Sequence, residues 1–85
     1  MDYIVEHKPE IKRFEAHIEG QVAYVEYTLN GDVFDIIHTI VPSDLEGQGI
    51  ASRTVREAYT YAKDAGYKLK ASCSYANVWL KRHPL

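Results

Sequence analysis

The sequence predicts an α/β fold with the element order βββαβα, and three observations carry that prediction. Two apolar runs flank the dipeptide Asn30-Gly31, the stretch after residue 50 repeats its apolar positions at helical spacing, and a strand-like alternation follows it. Antiparallel hairpin strands should therefore lead into a parallel strand-helix-strand unit, giving a mixed sheet.

A first strand reads from about Arg13 to Ile18 and a second from Val22 to Leu29, where Ala23, Val25, Tyr27 and Leu29 share a face. Asn-Gly between apolar runs marks a type I′ hairpin, because both central residues of that turn need positive φ. Val33 to Val41 then runs back antiparallel to Val22 to Leu29. Strict alternation puts Phe34, Ile36, His38 and Ile40 on one face, with Val33, Asp35, Ile37, Thr39 and Val41 on the other, and Pro42 ends the strand. Ala51, Val55, Ala58, Ala62 and Ala65 form the apolar stripe of a helix, with Arg53, Arg56, Glu57, Lys63 and Asp64 turned away and Gly66 as its stop. Tyr67, Leu69, Ala71 and Cys73 alternate with Lys68, Lys70 and Ser72, which predicts a half-buried strand ending at the thiol. A short helix from Tyr75 to about Arg82 follows, closed by His83-Pro84. The unit from Val33 to Cys73 should be a right-handed parallel crossover, and ligands of such units gather at the carboxyl ends of strands.

Length and composition narrow the functional classes. Eighty-five residues suit one domain spanning residues 1–85, with a single core and an open or shallow site. Hydrophobic residues at 46% and charged residues at 26% are ordinary for a soluble protein, and no apolar run approaches a membrane span. The N-terminus MDYIVEHKPE has neither a signal-peptide nor a transit-peptide layout, and one cysteine alone forms no internal disulfide; both favour the cytoplasm. Residues 1–47 carry ten acids against three bases, whereas residues 48–85 carry seven bases against two acids. A basic second half suits a phosphate-bearing ligand. His7, His17 and His83 show no ligand spacing with Cys73, so no metal is expected. The seven tyrosines fall mostly in periodic strand or helix positions, and without a basic tract no nucleic-acid partner is expected.

The segment VPSDLEGQGIAS, Val41 to Ser52, raises the functional question. Inside a helix, Gly47 and Gly49 would each cost about 1 kcal/mol relative to alanine. Close approach of backbone to a ligand explains them, with successive N–H groups aimed outward where a helix dipole favours anions. The alternative is a flexible loop after a capping box, Ser43-x-x-Glu46, that starts the helix early. A P-loop is excluded because no Gly-Lys-Ser/Thr follows, and the dinucleotide fingerprint lacks its third glycine and acidic ribose partner.

HTIVPSDLEGQGIASRTV, followed at a helix's distance by ASCSYANVWLKRHP, resembles the short, single-domain members of the GNAT N-acetyltransferase superfamily. The resemblance covers most of the chain and implies a minimal GNAT-like fold. It implies acetyl-CoA as cosubstrate, with no metal, and acetyl transfer to a primary amine whose identity the sequence leaves open. The superfamily's pyrophosphate pattern, Arg/Gln-x-x-Gly-x-Gly/Ala, is filled here by Glu46, Gly47, Gln48, Gly49, Ile50 and Ala51, with Glu46 standing where Arg or Gln is preferred. By the same resemblance Ile40, Val41, Ser52, Ser74 and Tyr75 join the cofactor site, and a backbone N–H of the strand ending at Val41 meets the oxyanion. The short subfamily's second motif is present as His38-Thr39 and Cys73-Ser74-Tyr75.

A lysine-like amine with a pKa of about 10.4 is unprotonated in only about one molecule in a thousand at neutral pH, so attack needs a proton acceptor. His38 is the candidate base, since histidine titrates near neutrality; its alternative is a core histidine satisfied by one hydrogen bond. Cys73 is the second catalytic candidate, as a nucleophile carrying the acetyl group or as a group lining the acetyl site; its alternative is a small buried hydrophobe. If transfer is direct, Cys73 or Tyr75 is the candidate to protonate the departing CoA thiolate. Beside the enzyme stands another reading, a non-catalytic CoA-binding or protein-interaction module that keeps the same fold.

Overall fold

Two hairpin turns, one further antiparallel pairing and one crossover build the sheet seen in a computed structural model, which describes residues 2–85. Its strands are β1 (Val5–Lys8), β2 (Arg13–Ile18), β3 (Gln21–Asn30), β4 (Val33–Ile40) and β5 (Lys68–Ala71), in the spatial order β1-β2-β3-β4-β5. The first four are antiparallel to their neighbours, and β5 pairs parallel to β4. Helix α1 (Ile50–Asp64) makes the crossover and α2 (Ser74–Arg82) follows β5. The predicted mixed α/β architecture is therefore present, with one strand added at the front.

That added strand, β1, has only four residues and two of them are charged, so no alternation betrays it. Tertiary contacts hold it: the His7 ring stacks on Phe14 at 4.1 Å, and its Nε2 lies 2.7 Å from the Tyr27 hydroxyl. Burial holds the His7 pKa below the ordinary value of 6.5, with Glu10 partly opposing. A base whose folded pKa is depressed binds more protons when unfolded, so its contribution is complete above the unfolded pKa and fades as pH falls. Thermal stability should accordingly decline on acidification below about pH 6.5. His7→Gln should flatten that part of a Tm-against-pH curve measured by circular dichroism.

Three local expectations are corrected. Asn30 pairs with Val33, so the central residues of that turn are Gly31 and Asp32; positive φ falls on Gly31 alone, as a type II′ turn requires. Strand β5 stops at Ala71, short of the thiol, and Cys73 becomes the residue that precedes α2 in an extended conformation. Ser43–Leu45 forms a single 3-10 turn with no side-chain cap, so Ser43 and Glu46 do not start the long helix.

Both helices pack on one face of the sheet. Val55, Ala58, Tyr59 and Ala62 of α1 and Ala76 and Trp79 of α2 meet Phe14, Val25, Tyr27, Phe34 and Ile36 in one buried cluster. A second cluster joins Ala16, Ile18 and Ala23 to Leu45 and Ile50. The opposite face, bearing Arg13, Glu15 and His17 of β2 and Tyr24 and Glu26 of β3, carries no helix.

Candidate functional site

The site begins with an irregularity in β4. Tyr27 pairs with Ile36, but the preceding Glu26 pairs with His38, so Ile37 is an extra residue on β4. Such a bulge reverses the facing of everything beyond it. Thr39 lies opposite buried Val25 and so faces the helices, while His38 lies opposite Glu26 on the open face. This corrects the alternation that grouped His38 with Phe34 and Ile36. The His38 side chain is 62% exposed, with Nε2 4.0 Å from the Glu26 carboxylate.

Just where the bulge falls, β4 and β5 part. Their pairing ends at Ile36 and Ala71, and the Ile36 carbonyl accepts the N–H groups of both Ser72 (3.1 Å) and Cys73 (3.0 Å). Strand β4 continues to Ile40 without β5 beside it, while the other chain turns into α2. On the helix side of the parting, the Cys73 thiol donates to Thr39 Oγ1 at 3.5 Å. No hydrogen bond joins Cys73, which bonds Thr39, to His38, which lies by Glu26; the two sit on opposite faces of the sheet.

Leu45 and Ile50 are buried against β2 and β3 and pin both ends of the loop 46–49, each side chain contributing about 1.5–3 kcal/mol. Between these pins Gly47 and Gly49 have φ of 81° and 78°, which strain any residue with a Cβ. Among the described residues no atom lies within 4 Å of where either Cβ would be, so the positive φ, and not crowding within the fold, demands glycine. Gly49 caps α1 without a side-chain hydrogen bond, leaving the first N–H groups of the helix free of a side-chain acceptor.

Loop, parting and helix start enclose a groove of about 520 Å³. Of the residues predicted to hold a cofactor, Ile40, Val41, Glu46, Gly47, Gly49, Ile50, Ala51, Ser52 and Tyr75 line it; Gln48 and Ser74 do not. Thr39 and Leu45 also line it; the sequence put Thr39 in the His38-Thr39 motif but assigned neither residue to the cofactor site. Leu45, a lone apolar residue between Asp44 and Glu46, was a readable anchor; Thr39 was not, because its facing depends on the bulge. Glu46 is exposed at the groove's edge, where water and salt screen its charge.

Helix α2 is tied to the groove through Trp79, whose indole N–H donates to Ser52 Oγ at 2.9 Å. His83 stacks on the same indole at 4.4 Å. Trp79→Phe keeps a ring but loses the donor and some volume, and should lower the unfolding free energy in urea by about 1–2 kcal/mol.

Elsewhere, Glu6, Glu15 and His17 bring ligand-type atoms within 4.8 Å of one another beside an open concavity of about 760 Å³ at Tyr3 and Ile4. Lys8 lies 3.8 Å from both carboxylates and Arg13 3.8 Å from Glu15, so that cluster already carries its own counter-charges. Among the described residues, no helix is long and apolar enough to cross a membrane.

A hairpin sheet feeding a parallel crossover, with a glycine loop before the crossover helix and a groove where two parallel strands part, defines an acetyltransferase-like domain. The chain belongs to the GCN5-related N-acetyl-transferase family, whose model matches residues 13–85. It is also similar to the human protein NATD1, at 28% identity over 85 residues, spanning 95% of this chain and 74% of the human protein.

Proposed function

We propose that the protein is an N-acetyltransferase that binds acetyl-CoA in the groove and passes its acetyl group to a primary amine. The observation that carries this reading is the coincidence, in a chain of this family, of the two-glycine loop with the parting of β4 and β5. The pyrophosphate would lie against the N–H groups from Gly47 to Ser52, which offer donors without a basic side chain. The thioester would then point into the parting, and a free N–H of β4 between Ile37 and Val41 would receive the developing oxyanion.

On this reading the two faces divide the chemistry. The acceptor amine comes from the open face, where His38 takes the proton of its ammonium group. The amine nitrogen attacks the acetyl carbonyl, the carbon–sulfur bond breaks as the CoA thiolate takes the proton of the Cys73 thiol, and the proton still in excess on the new amide nitrogen returns through water to the Cys73 thiolate. Direct transfer therefore leaves no acetyl group on Cys73. A cosubstrate of this kind and an unpaired thiol both suit the cytoplasm.

Mixing the protein with acetyl-CoA and a panel of amines, from free lysine and polyamines to peptides, tests the reading by release of free CoA thiol. Amine-dependent release with a matching acetylated product supports it; release that no amine accelerates contradicts it. One observation favours a second reading, a CoA-binding or protein-interaction module without turnover. Glu46 lines the groove where family members prefer a basic or neutral side chain.

A further inference from the structure

Asp35 is 7% exposed, and its carboxylate is held in an unusual way. Glu15, equally buried, is surrounded by Lys8, Arg13 and His17. Asp35 instead takes both its hydrogen bonds from one residue: Ser72 N–H reaches Oδ1 at 2.8 Å and the Ser72 hydroxyl reaches Oδ2 at 2.6 Å. Bonds of this charge-assisted kind are shorter and stronger than neutral ones, and a buried carboxylate that lost them would be costly to keep.

Their location gives them a consequence for the site. Ser72 immediately precedes Cys73, and its N–H is shared between Asp35 and the Ile36 carbonyl, the acceptor that also binds Cys73 N–H. The Ser72–Cys73 peptide is thereby fixed over the last paired position of β4, at the mouth of the parting. Because successive residues face opposite sides, the clamp sits on the open face while the thiol emerges on the helix side, beside Thr39. Asp35 thus acts on Cys73 through backbone without touching it.

We propose that Asp35, through Ser72, is a positioning residue for acyl transfer, fixing where the Cys73 thiol stands in the parting. The inference rests on the reading of Cys73 as an acid at the acetyl site, but the position of the thiol can be measured without any turnover.

Cys73 is the sole cysteine, so the rate at which the folded protein is alkylated by iodoacetamide reports on it alone. Ser72→Ala removes one clamp bond and leaves the Asp35 charge; Asp35→Asn removes the charge; Ser72→Thr keeps the hydroxyl at an exposed position. The first two should alkylate about fivefold faster and lose about tenfold in kcat, with the KM for acetyl-CoA unchanged, while Ser72→Thr matches the parent in all three. Should Asp35→Asn fail to fold, Ser72→Ala decides. Unchanged alkylation in the folded variants, even with a lowered Tm, overturns the proposal and leaves Asp35 a structural residue. Faster alkylation in a protein that shows no acetyl transfer overturns the role in acyl transfer together with the catalytic reading it rests on, and leaves only a clamp that holds the thiol in place.

Discussion

Gly49→Arg is expected to abolish acetyl-CoA binding while leaving the sheet folded. At φ of 78°, any residue with a Cβ is strained by about 1–2 kcal/mol, a cost a domain with about 5–15 kcal/mol of stability can survive. No atom of the described residues stands near the new Cβ, so the arginine has room in the free protein and takes it from the groove. The loop is anchored through Leu45 and Ile50, so it cannot simply swing aside. Gly49→Ala is the matching control, with the same backbone strain but only a methyl group in the groove. Titration calorimetry should detect no heat of acetyl-CoA binding for the arginine variant and weakened, measurable binding for alanine, with circular dichroism spectra alike in both. Equal loss in the two variants would mean that backbone conformation alone is responsible.

Cys73→Ala carries the second large effect, on rate and not on affinity. Proton transfer by a placed side chain contributes typically about 10²–10⁴-fold, so kcat should fall by about a hundredfold or more. The thiol stands behind Thr39, its hydrogen-bond partner in the groove lining, and alanine preserves most of its packing, so the affinity for acetyl-CoA should stay within about twofold of the parent. Intact mass measured after exposure to acetyl-CoA without acceptor separates the two mechanisms a cysteine allows. Direct transfer predicts the unmodified mass; a stable addition of one acetyl group, lost in Cys73→Ala, would establish a thioester intermediate. Normal turnover by Cys73→Ala would remove the thiol from the chemistry altogether.

Much of this architecture is legible in the sequence wherever a repeating pattern meets a clear stop. The α1 stripe of Val55, Ala58 and Ala62 and the face formed by Ala23, Val25 and Tyr27 are buried as periodicity requires, because one face of each element has a single destination. Strand β1 lacked such a pattern; its place depends on the stacking of His7 on Phe14, a contact between residues brought together only by β2. The bulge at Ile37 is invisible for a related reason. One extra residue in a strand leaves the apolar composition unchanged, yet it moves His38 to the open face and Thr39 beside Cys73. The groove loop was readable from Gly47 and Gly49 because positive φ leaves a chemical trace. The partnership of Asp35 with Ser72 was not, since it joins residues from two strands whose register only the fold sets.

Whether the groove is an acetyl-CoA site is tested directly by calorimetric titration of the protein with acetyl-CoA, with ATP as the polyphosphate control. Saturable binding of acetyl-CoA at one site, with no comparable heat from ATP, is the predicted result. No binding of acetyl-CoA, or equal binding of both nucleotides, would contradict it, and would leave a family fold whose glycine loop serves something other than this cosubstrate.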